Sequence, residues 1–332
     1  MKCNKCSQES IISLPYGPHH FCKNHFLEFF EKKVRKTIRV NKLINAGDKV
    51  LVGVSGGKDS ACVLYLVNKI FGKTINLNAL LIDEGIQGYR DKAVKKGIEL
   101  CKELKVNYKV ISLKKEIGYS MDEIIKKIKS DPGLGSSCSF CGVFRREILN
   151  KKALEMNADK VVTGHNLDDE TQSIAMNLFD GDVSRLARLG PSTGIKKLKG
   201  FVERIKPLYE SPERETNAFI KFLNLPHYQE ECCPYSWMAK RNSYRKIINE
   251  LEEGFPGTKY SLLSSFKQLK PLLQKKFNSK EKAKKCRCGS ITMQELCGAC
   301  KLKEKLMNSK PTGKKPKEKK KLTCSATKKW NY

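Results

Sequence analysis

The sequence predicts an open, doubly wound α/β domain on a parallel sheet, with a small metal-binding module at each end. Three observations carry this. From about residue 48 short apolar runs alternate with helix-length segments, a glycine pair ends the first of those runs, and cysteines group in close pairs near both ends of the chain. A chain of 332 residues holds one full core with smaller appendages.

The first element is Cys3, Cys6, Cys22 and His25, spaced C-x2-C-x15-C-x2-H, with Pro15, Gly17 and Pro18 turning the intervening loop. An apolar periodicity (Phe26, Phe29, Phe30, Val34, Ile38) then predicts a helix from about Phe26 to Ile44. KVLVGVS, INLNALLID and VNYKVISL read as strands separated by helices over 58–71 and 90–104. After a basic, glycine-containing loop come a helix over 140–157, the strand KVVTG and a helix from about Asp168. Strands alternating with helices favour a parallel sheet with ligand at the carboxyl ends of its strands. Residues 181–210 read as loop, and helices follow at about 212–224, 241–252 and 258–276. Cys286, Cys288, Cys297 and Cys300 form a second quartet, C-x-C-x8-C-x2-C. The expected organisation is a zinc finger over 1–26, a linking helix over 27–47, a catalytic domain over 48–225, a helical extension over 226–280, a zinc ribbon over 281–304 and a basic disordered tail over 305–332.

Sixty-five Lys and Arg against 35 Asp and Glu give a net charge of +30, a field that attracts polyanions, RNA first among them. No apolar run approaches the roughly 20 residues of a spanning helix, and no signal peptide opens the chain, so a cytoplasmic protein with no membrane partner is expected. In a reducing compartment paired cysteines point to metal. Each quartet suits one tetrahedral zinc, so two Zn²⁺ are expected, with His19 and His20 as rivals to the better-spaced His25. A third pair, Cys138 and Cys141, has only Cys232 and Cys233 as plausible partners. On spacing alone a [4Fe-4S] cluster with one open iron, a redox C-x-x-C and a third zinc fit about equally. Cys62 and Cys101 read as buried structural residues.

The stretch SGGKDS (55–60) follows an apolar strand and opens a helix. Gly56 and Gly57 let backbone N–H groups approach phosphate oxygens, Lys58 neutralises charge, and Ser55 and Ser60 donate hydrogen bonds. Asp59 would repel phosphate unless Mg²⁺ intervenes or its side chain caps the helix. The loop is shorter than a Walker motif. The order S-G-G-x-D-S resembles the PP-loop of ATP pyrophosphatases, which implies transfer of AMP. Gly53, Val54, Ser55, Gly56, Gly57, Lys58, Asp59 and Ser60 then form the expected ATP cradle. Two further strand ends carry LLIDEGIQGYR (81–90) and TGHNLDDE (163–170). Leu81 is placed to meet adenine through its backbone, and Gly164 lets the chain come close. Asp168 and Asp169 could hold Mg²⁺ or activate a substrate, or simply form an acidic first helical turn.

SGGKDS, CSFCG, GHNLDDE, the cysteine of ECCPYS and both flanking quartets occur together in one order. With these the chain resembles, from residue 1 to about 302, the TtcA/TtuA family of tRNA sulfurtransferases, in its zinc-containing branch of archaeal and eukaryotic 2-thiouridine synthetases. The resemblance implies ATP with Mg²⁺, adenylation of a uridine C2 oxygen, and replacement of that oxygen by sulfur. It also implies a [4Fe-4S] cluster on Cys138, Cys141 and Cys233, whose free iron holds hydrosulfide, with Cys232 as a rival third ligand. Lys58, Arg145 and Asp169 take the catalytic positions, Arg145 and Asp169 also facing ATP. The family implies tRNA as partner and a homodimer, with sulfur from free sulfide or from a ubiquitin-like protein thiocarboxylate. Wobble position 34 is slightly preferred over position 54. Another PP-loop ligase, a 2-thiocytidine synthetase and a non-catalytic zinc-ribbon RNA-binding protein are the alternatives.

Overall fold

The computed structural model describes residues 1–193, 200–229, 233–277 and 284–309. The chain begins with a hairpin, β1 (Ile12–Leu14) and β2 (His19–Phe21), and the helix α1 (Lys23–Val40). Strand β3 (Lys49–Val54), α2 (Lys58–Phe71), β4 (Asn76–Asp83), α3 (Arg90–Glu103) and β5 (Asn107–Ser112) follow as expected. Next come α4 (Leu113–Ile117), α5 (Met121–Ser130), α6 (Ser137–Glu155), β6 (Lys160–Val162), α7 (Leu167–Phe179), α8 (Val183–Leu186), β7 (Glu203–Ile205) and α9 (Glu213–Leu223). The chain continues with α10 (Arg241–Gly254), α11 (Thr258–Lys276), a second hairpin of β8 (Lys284–Lys285) and β9 (Ile291–Thr292), and α12 (Gly298–Met307).

The central sheet has five parallel strands in the order β5-β4-β3-β6-β7. Its register sets Val52 beside Ala79 on one side and Val162 on the other. The chain runs from β3 outward to one edge and returns through β6 to the other. The connections that leave the carboxyl ends of the adjacent strands β3 and β6 therefore run toward opposite edges of the sheet, which opens a crevice above those ends.

Alternation along the strands divides the core. Val50, Val52, Val54, Ala79 and Leu81 face α1, α2 and α9 through Phe26, Phe30, Leu64 and Phe219. Leu51, Leu80 and Ile82 face α5 and α6 through Ile124, Phe140, Phe144 and Ile148. The N-terminal cysteines Cys3 and Cys22 belong to the first face and Cys286, Cys297 and Cys300 to the second, so each terminal cysteine module is continuous with one side of the domain. A smaller cluster of Leu167, Ile174, Tyr209, Leu263 and Phe266 binds α7 to α11.

Three local expectations are corrected. Helix α1 starts at Lys23, not Phe26, so His25 stands on its first turn. The segment between β5 and α6 is helical: Ser120 and Glu123 form a reciprocal capping box, and Met121, Ile124, Ile125 and Ile128 form a buried stripe. Within 181–210, α8 and the edge strand β7 interrupt the loop. The tail beyond Ser309, the loop 194–199 and Cys232 lie outside the described residues.

Candidate active site and metal centres

The loop after β3 is shaped by close approach. Gly56 has φ +80°, and a Cβ there would lie 1.9 Å from the Ala93 carbonyl oxygen of α3, so only glycine fits. Its own carbonyl accepts the Tyr228 N–H at 2.8 Å. Ser60 Oγ turns back to donate to the Gly57 carbonyl (2.8 Å) and accepts the Ser55 N–H (3.1 Å), while Ser55 Oγ accepts the Gly57 N–H at 3.3 Å. Gly53 and Val54 end the strand level with Leu80 and Leu81. The Leu81 side chain is buried, and its backbone lies in the ladder between Val54 and Val110. Gly164 comes in from β6: a Cβ there would meet the Asp59 carbonyl carbon at 2.7 Å. The two strand ends are thus nearly in backbone contact.

Lys58 Nζ lies 3.0 Å from Asp59 Oδ2 and 2.6 Å from Glu213 Oε1 at the start of α9. Burial opposes its charge, but the two carboxylates hold it charged. Burial pushes the Asp59 carboxyl up to about 6 against the pull of Lys58, with Glu213 and Asp169 adding repulsion. Asp59 Oδ1 also accepts Asn166 Nδ2 at 3.1 Å. Asp59 therefore faces the crevice and does not cap its own helix, for which no side-chain cap is formed.

The Asp168–Asp169 pair separates clearly. Asp168 is buried, ion-paired to Lys259 of α11, and accepts the Glu213 N–H at 2.7 Å, so it ties three helices together. Asp169 completes a capping box with Asn166 and meets Arg241 Nη1 at 2.8 Å, half-exposed toward the crevice. Burial opposes ionisation of Asp169, and nearby cationic groups including Arg241 outweigh it.

Cys138 and Cys141 occupy the first turn of α6. The segment from Cys233 docks on that turn: Ser137 Oγ donates to the Tyr235 carbonyl at 3.4 Å, and Tyr235 Oη donates to Asp122 Oδ1 at 2.6 Å. Burial and the other two thiols act together on Cys233, pushing its thiol up to about 11. Arg145 lies one turn beyond Cys141 and hydrogen-bonds it. Its Nε is 3.3 Å from Glu84 Oε1, while the other oxygen of Glu84 pairs with buried Arg90. Arg90 in turn donates to the Ile82 carbonyl at 2.9 Å and to the Ser55 carbonyl at 2.5 Å. One buried carboxylate thus joins the cysteine helix to the phosphate loop. Sequence reasoning singled out Arg145 but not Glu84, Arg90, Glu213 or Arg241.

The two quartets are compact. A tetrahedron with metal–sulfur bonds of about 2.3 Å sets its ligand atoms about 3.8 Å apart. Cys6 and Cys22 Sγ are 3.8 Å apart, Cys288 and Cys297 Sγ 3.6 Å, and His25 Nδ1 lies 3.5 Å from Cys3 and 3.3 Å from Cys22. Backbone N–H groups of Cys297 and Cys288 pull the Cys286 thiol down to about 6, which favours the thiolate a metal needs. His20 is taken by Ser13 at 2.7 Å, and His19 stacks on Phe21, so His25 completes the first quartet. Among the described residues only these quartets bring three or more such ligand atoms within 4.8 Å of one another. The Cys138, Cys141 and Cys233 thiols are more widely set than a single zinc requires. Cys62 and Cys101 are buried, as expected.

A parallel sheet whose switch point carries a short S-G-G-x-D-S loop defines an ATP-pyrophosphatase-type nucleotide-binding protein. The sequence matches the PP-loop domain family over residues 27–251. It is 35% identical to tRNA 2-thiolation protein NcsA of Haloferax volcanii, over 92% of this chain and 99% of that one. It is also 35% identical to tRNA-5-methyluridine(54) 2-sulfurtransferase of Pyrococcus horikoshii, over 91% and 93%. The solved structure of U34-tRNA thiolase NcsA from Methanococcus maripaludis with its [4Fe-4S] cluster superposes with a TM-score of 0.78 at 35% identity, covering 92% of this chain and 96% of that one. The chain belongs to the PP-loop family of tRNA 2-thiolation sulfurtransferases. Among the described residues no helix is long and apolar enough to cross a membrane.

Proposed function

We propose that this protein, a tRNA 2-thiolation enzyme by family, activates the C2 oxygen of a tRNA uridine with ATP and exchanges it for sulfur. The observation that carries the reading is the shared carboxylate of Glu84, which couples Arg145 beside Cys141 to Arg90 beneath Ser55. Activation and sulfur insertion need one uridine to meet both halves, and this link sets them in one crevice.

The C2 oxygen attacks the α-phosphorus of ATP, and pyrophosphate leaves. Sulfur then adds to C2, the C2–O bond breaks, and AMP departs with the oxygen. The backbone of 55–57 and Lys58 hold the phosphates, Lys58 exchanging Asp59 and Glu213 for phosphate oxygens as ATP enters. Of the carboxylates so released, Asp59 at the head of the loop helix suits the Mg²⁺ that accompanies ATP. Asp169, held by Arg241, faces the uridine, and Arg145 stabilises charge on the departing AMP. The thiols of Cys138, Cys141 and Cys233 fit a [4Fe-4S] group, being three, convergent, set wider than a zinc site and flanked by Arg145. Such a group supplies an iron without a protein ligand, a Lewis-acidic position for sulfur. Zinc in each quartet would be structural, since the quartets are integral to the two core faces.

We place the reaction at wobble uridine 34, supported by the likeness to a solved U34-tRNA thiolase, with position 54 as the second reading that the Pyrococcus relative favours. We further propose a cytoplasmic homodimer, to be checked by light scattering. The test is nucleoside mass spectrometry of position-mapped tRNA from a deletion strain. Loss of 2-thiouridine at one position, restored by the wild-type gene and not by Lys58→Gln, is expected; unchanged 2-thiouridine overturns the reading. Reconstitution with sulfide alone, or with a protein thiocarboxylate, decides the sulfur source.

A further inference from the structure

Five guanidinium groups converge beside the cysteine helix: Arg145 and Arg146 of α6, Arg185 of α8, Arg204 of β7 and Arg241 at the start of α10, Arg146 feeling three of the others and Arg204 feeling Arg146. Three of them are neutralised, Arg145 by Glu84 at 3.3 Å, Arg185 by Asp182 at 3.1 Å and Arg241 by Asp169 at 2.8 Å. Among the described residues no carboxylate pairs with Arg146 or Arg204.

The scaffold imposes this arrangement. Asn150 of α6 donates to the Gly200 carbonyl at 3.1 Å and accepts the Val202 N–H at 3.0 Å, which fixes the approach to β7 against α6. Arg146 folds back toward the turn bearing Cys141: a Cβ on Gly142 would be 3.3 Å from its Nη1. Arg204 stands level with Val161, in the strand that leads to Gly164 and Asp169. Like charges held together without counter-ions are a standing repulsion that a bound anion relieves. Burial and Arg146 pull the Arg204 guanidinium down to about 10, in line with that repulsion.

We propose that Arg146 and Arg204 form a clamp for the phosphodiesters flanking the reacting nucleotide, an inference that rests on the tRNA-thiolation reading. A base drawn out of its stack brings its backbone phosphates to the crevice mouth, where guanidiniums hold them in fork geometry. The triphosphate of ATP has its own cradle at Lys58, so the clamp serves RNA and not the nucleotide.

The test measures tRNA binding by the full-length metallated protein across a salt series, alongside KM for tRNA and for ATP. Arg146→Gln and Arg204→Gln are each expected to weaken tRNA binding about three- to tenfold and to lower the salt slope by about 0.7–0.9. KM for ATP stays unchanged. Arg146→Lys keeps the wild-type slope, and Lys36→Gln, which removes an exposed charge on α1, does not reproduce the loss. A double variant within twofold of wild type overturns the clamp, as does an equal rise in KM for ATP or an equal loss in Lys36→Gln. Wild-type protein that binds tRNA without thiolating it counts against the activity alone; the clamp is then judged on the binding constants.

Discussion

Glu84→Gln tests the link between the two halves of the site, because one isosteric change touches both. The Glu84 side chain is 5% exposed and Arg90 6%, so the first effect is on stability. Stripping one partner from a buried ion pair typically leaves about 3–5 kcal/mol of uncompensated charge. Arg90 keeps the Ile82 and Ser55 carbonyls, and glutamine retains an acceptor oxygen, so about 2–3 kcal/mol is expected, or a fall in melting temperature of about 4–12 °C. The second effect is on Arg145, whose side chain is 44% exposed, so solvent screening limits the lost interaction to about 1 kcal/mol, or about fivefold in rate. The assay is single-turnover 2-thiouridine formation at saturating ATP, with iron measured in every sample, for Glu84→Gln, Arg145→Gln and the double variant. If Glu84 positions Arg145, its replacement slows the reaction about fivefold less when Arg145 is already gone. Equal factors in both backgrounds would refute the positioning argument, whatever happens to the melting temperature.

Lys58→Gln should lower pyrophosphate release by about a hundredfold or more and leave zinc and iron contents unchanged, as read by a coupled assay and elemental analysis. Asp59 has its carboxyl pushed up from 3.8 to about 6 in the ATP-free protein, so it is protonated in both folded and unfolded chains below about pH 3, disfavours the folded state increasingly as pH rises from about 4 to 6, and does so by a constant amount above that. Asp59→Asn should therefore stabilise the ATP-free protein by about 1–2 kcal/mol at pH 7 and hardly at all below about pH 3, while abolishing ATP turnover; urea unfolding that shows no gain at pH 7 contradicts this. Serine at Cys138, Cys141 or Cys233 should remove iron and leave two zinc ions per chain. Serine at Cys22 or Cys297 should remove one zinc and lower the melting temperature, and iron lost with zinc retained at Cys297→Ser would count against the assignment of that quartet.

The sequence showed the activating half because its chemistry is contiguous: loop, glycines, Lys58 and Ser60 fall within six positions between a strand and a helix. The partners that tune it are legible only in three dimensions. Glu213 reaches Lys58 across 155 positions, and Arg241 reaches Asp169 across 72. Nothing local distinguishes Asp168 from Asp169; burial does, by turning one toward Lys259 and the other toward the crevice. Glu84 follows β4 and Arg90 opens α3, and nothing in the glycine-containing stretch between them signals that both charges are buried. In the fold, the long strands announced themselves by continuous apolar runs, whereas β7 is three residues long and carries Glu203 and Arg204 on an edge. The helices after β5 were hidden because their lysines masked an isoleucine stripe that a capping box could have revealed.

The ribbon's contact with α6 has a consequence for when the enzyme is made complete. Gly298 packs toward Val143, Ser290 hydrogen-bonds Glu147, and Cys286, Cys297 and Cys300 share a core with Phe140 and Phe144. The helix that presents Cys138 and Cys141 is thus buttressed by residues translated some 150 positions later, and Cys233 also arrives late. While the chain is still leaving the ribosome, that helix lacks both its third thiol and its support. The first turn of α6 therefore gains its full support, and its neighbour Cys233, only once the last module has been made and folded against it.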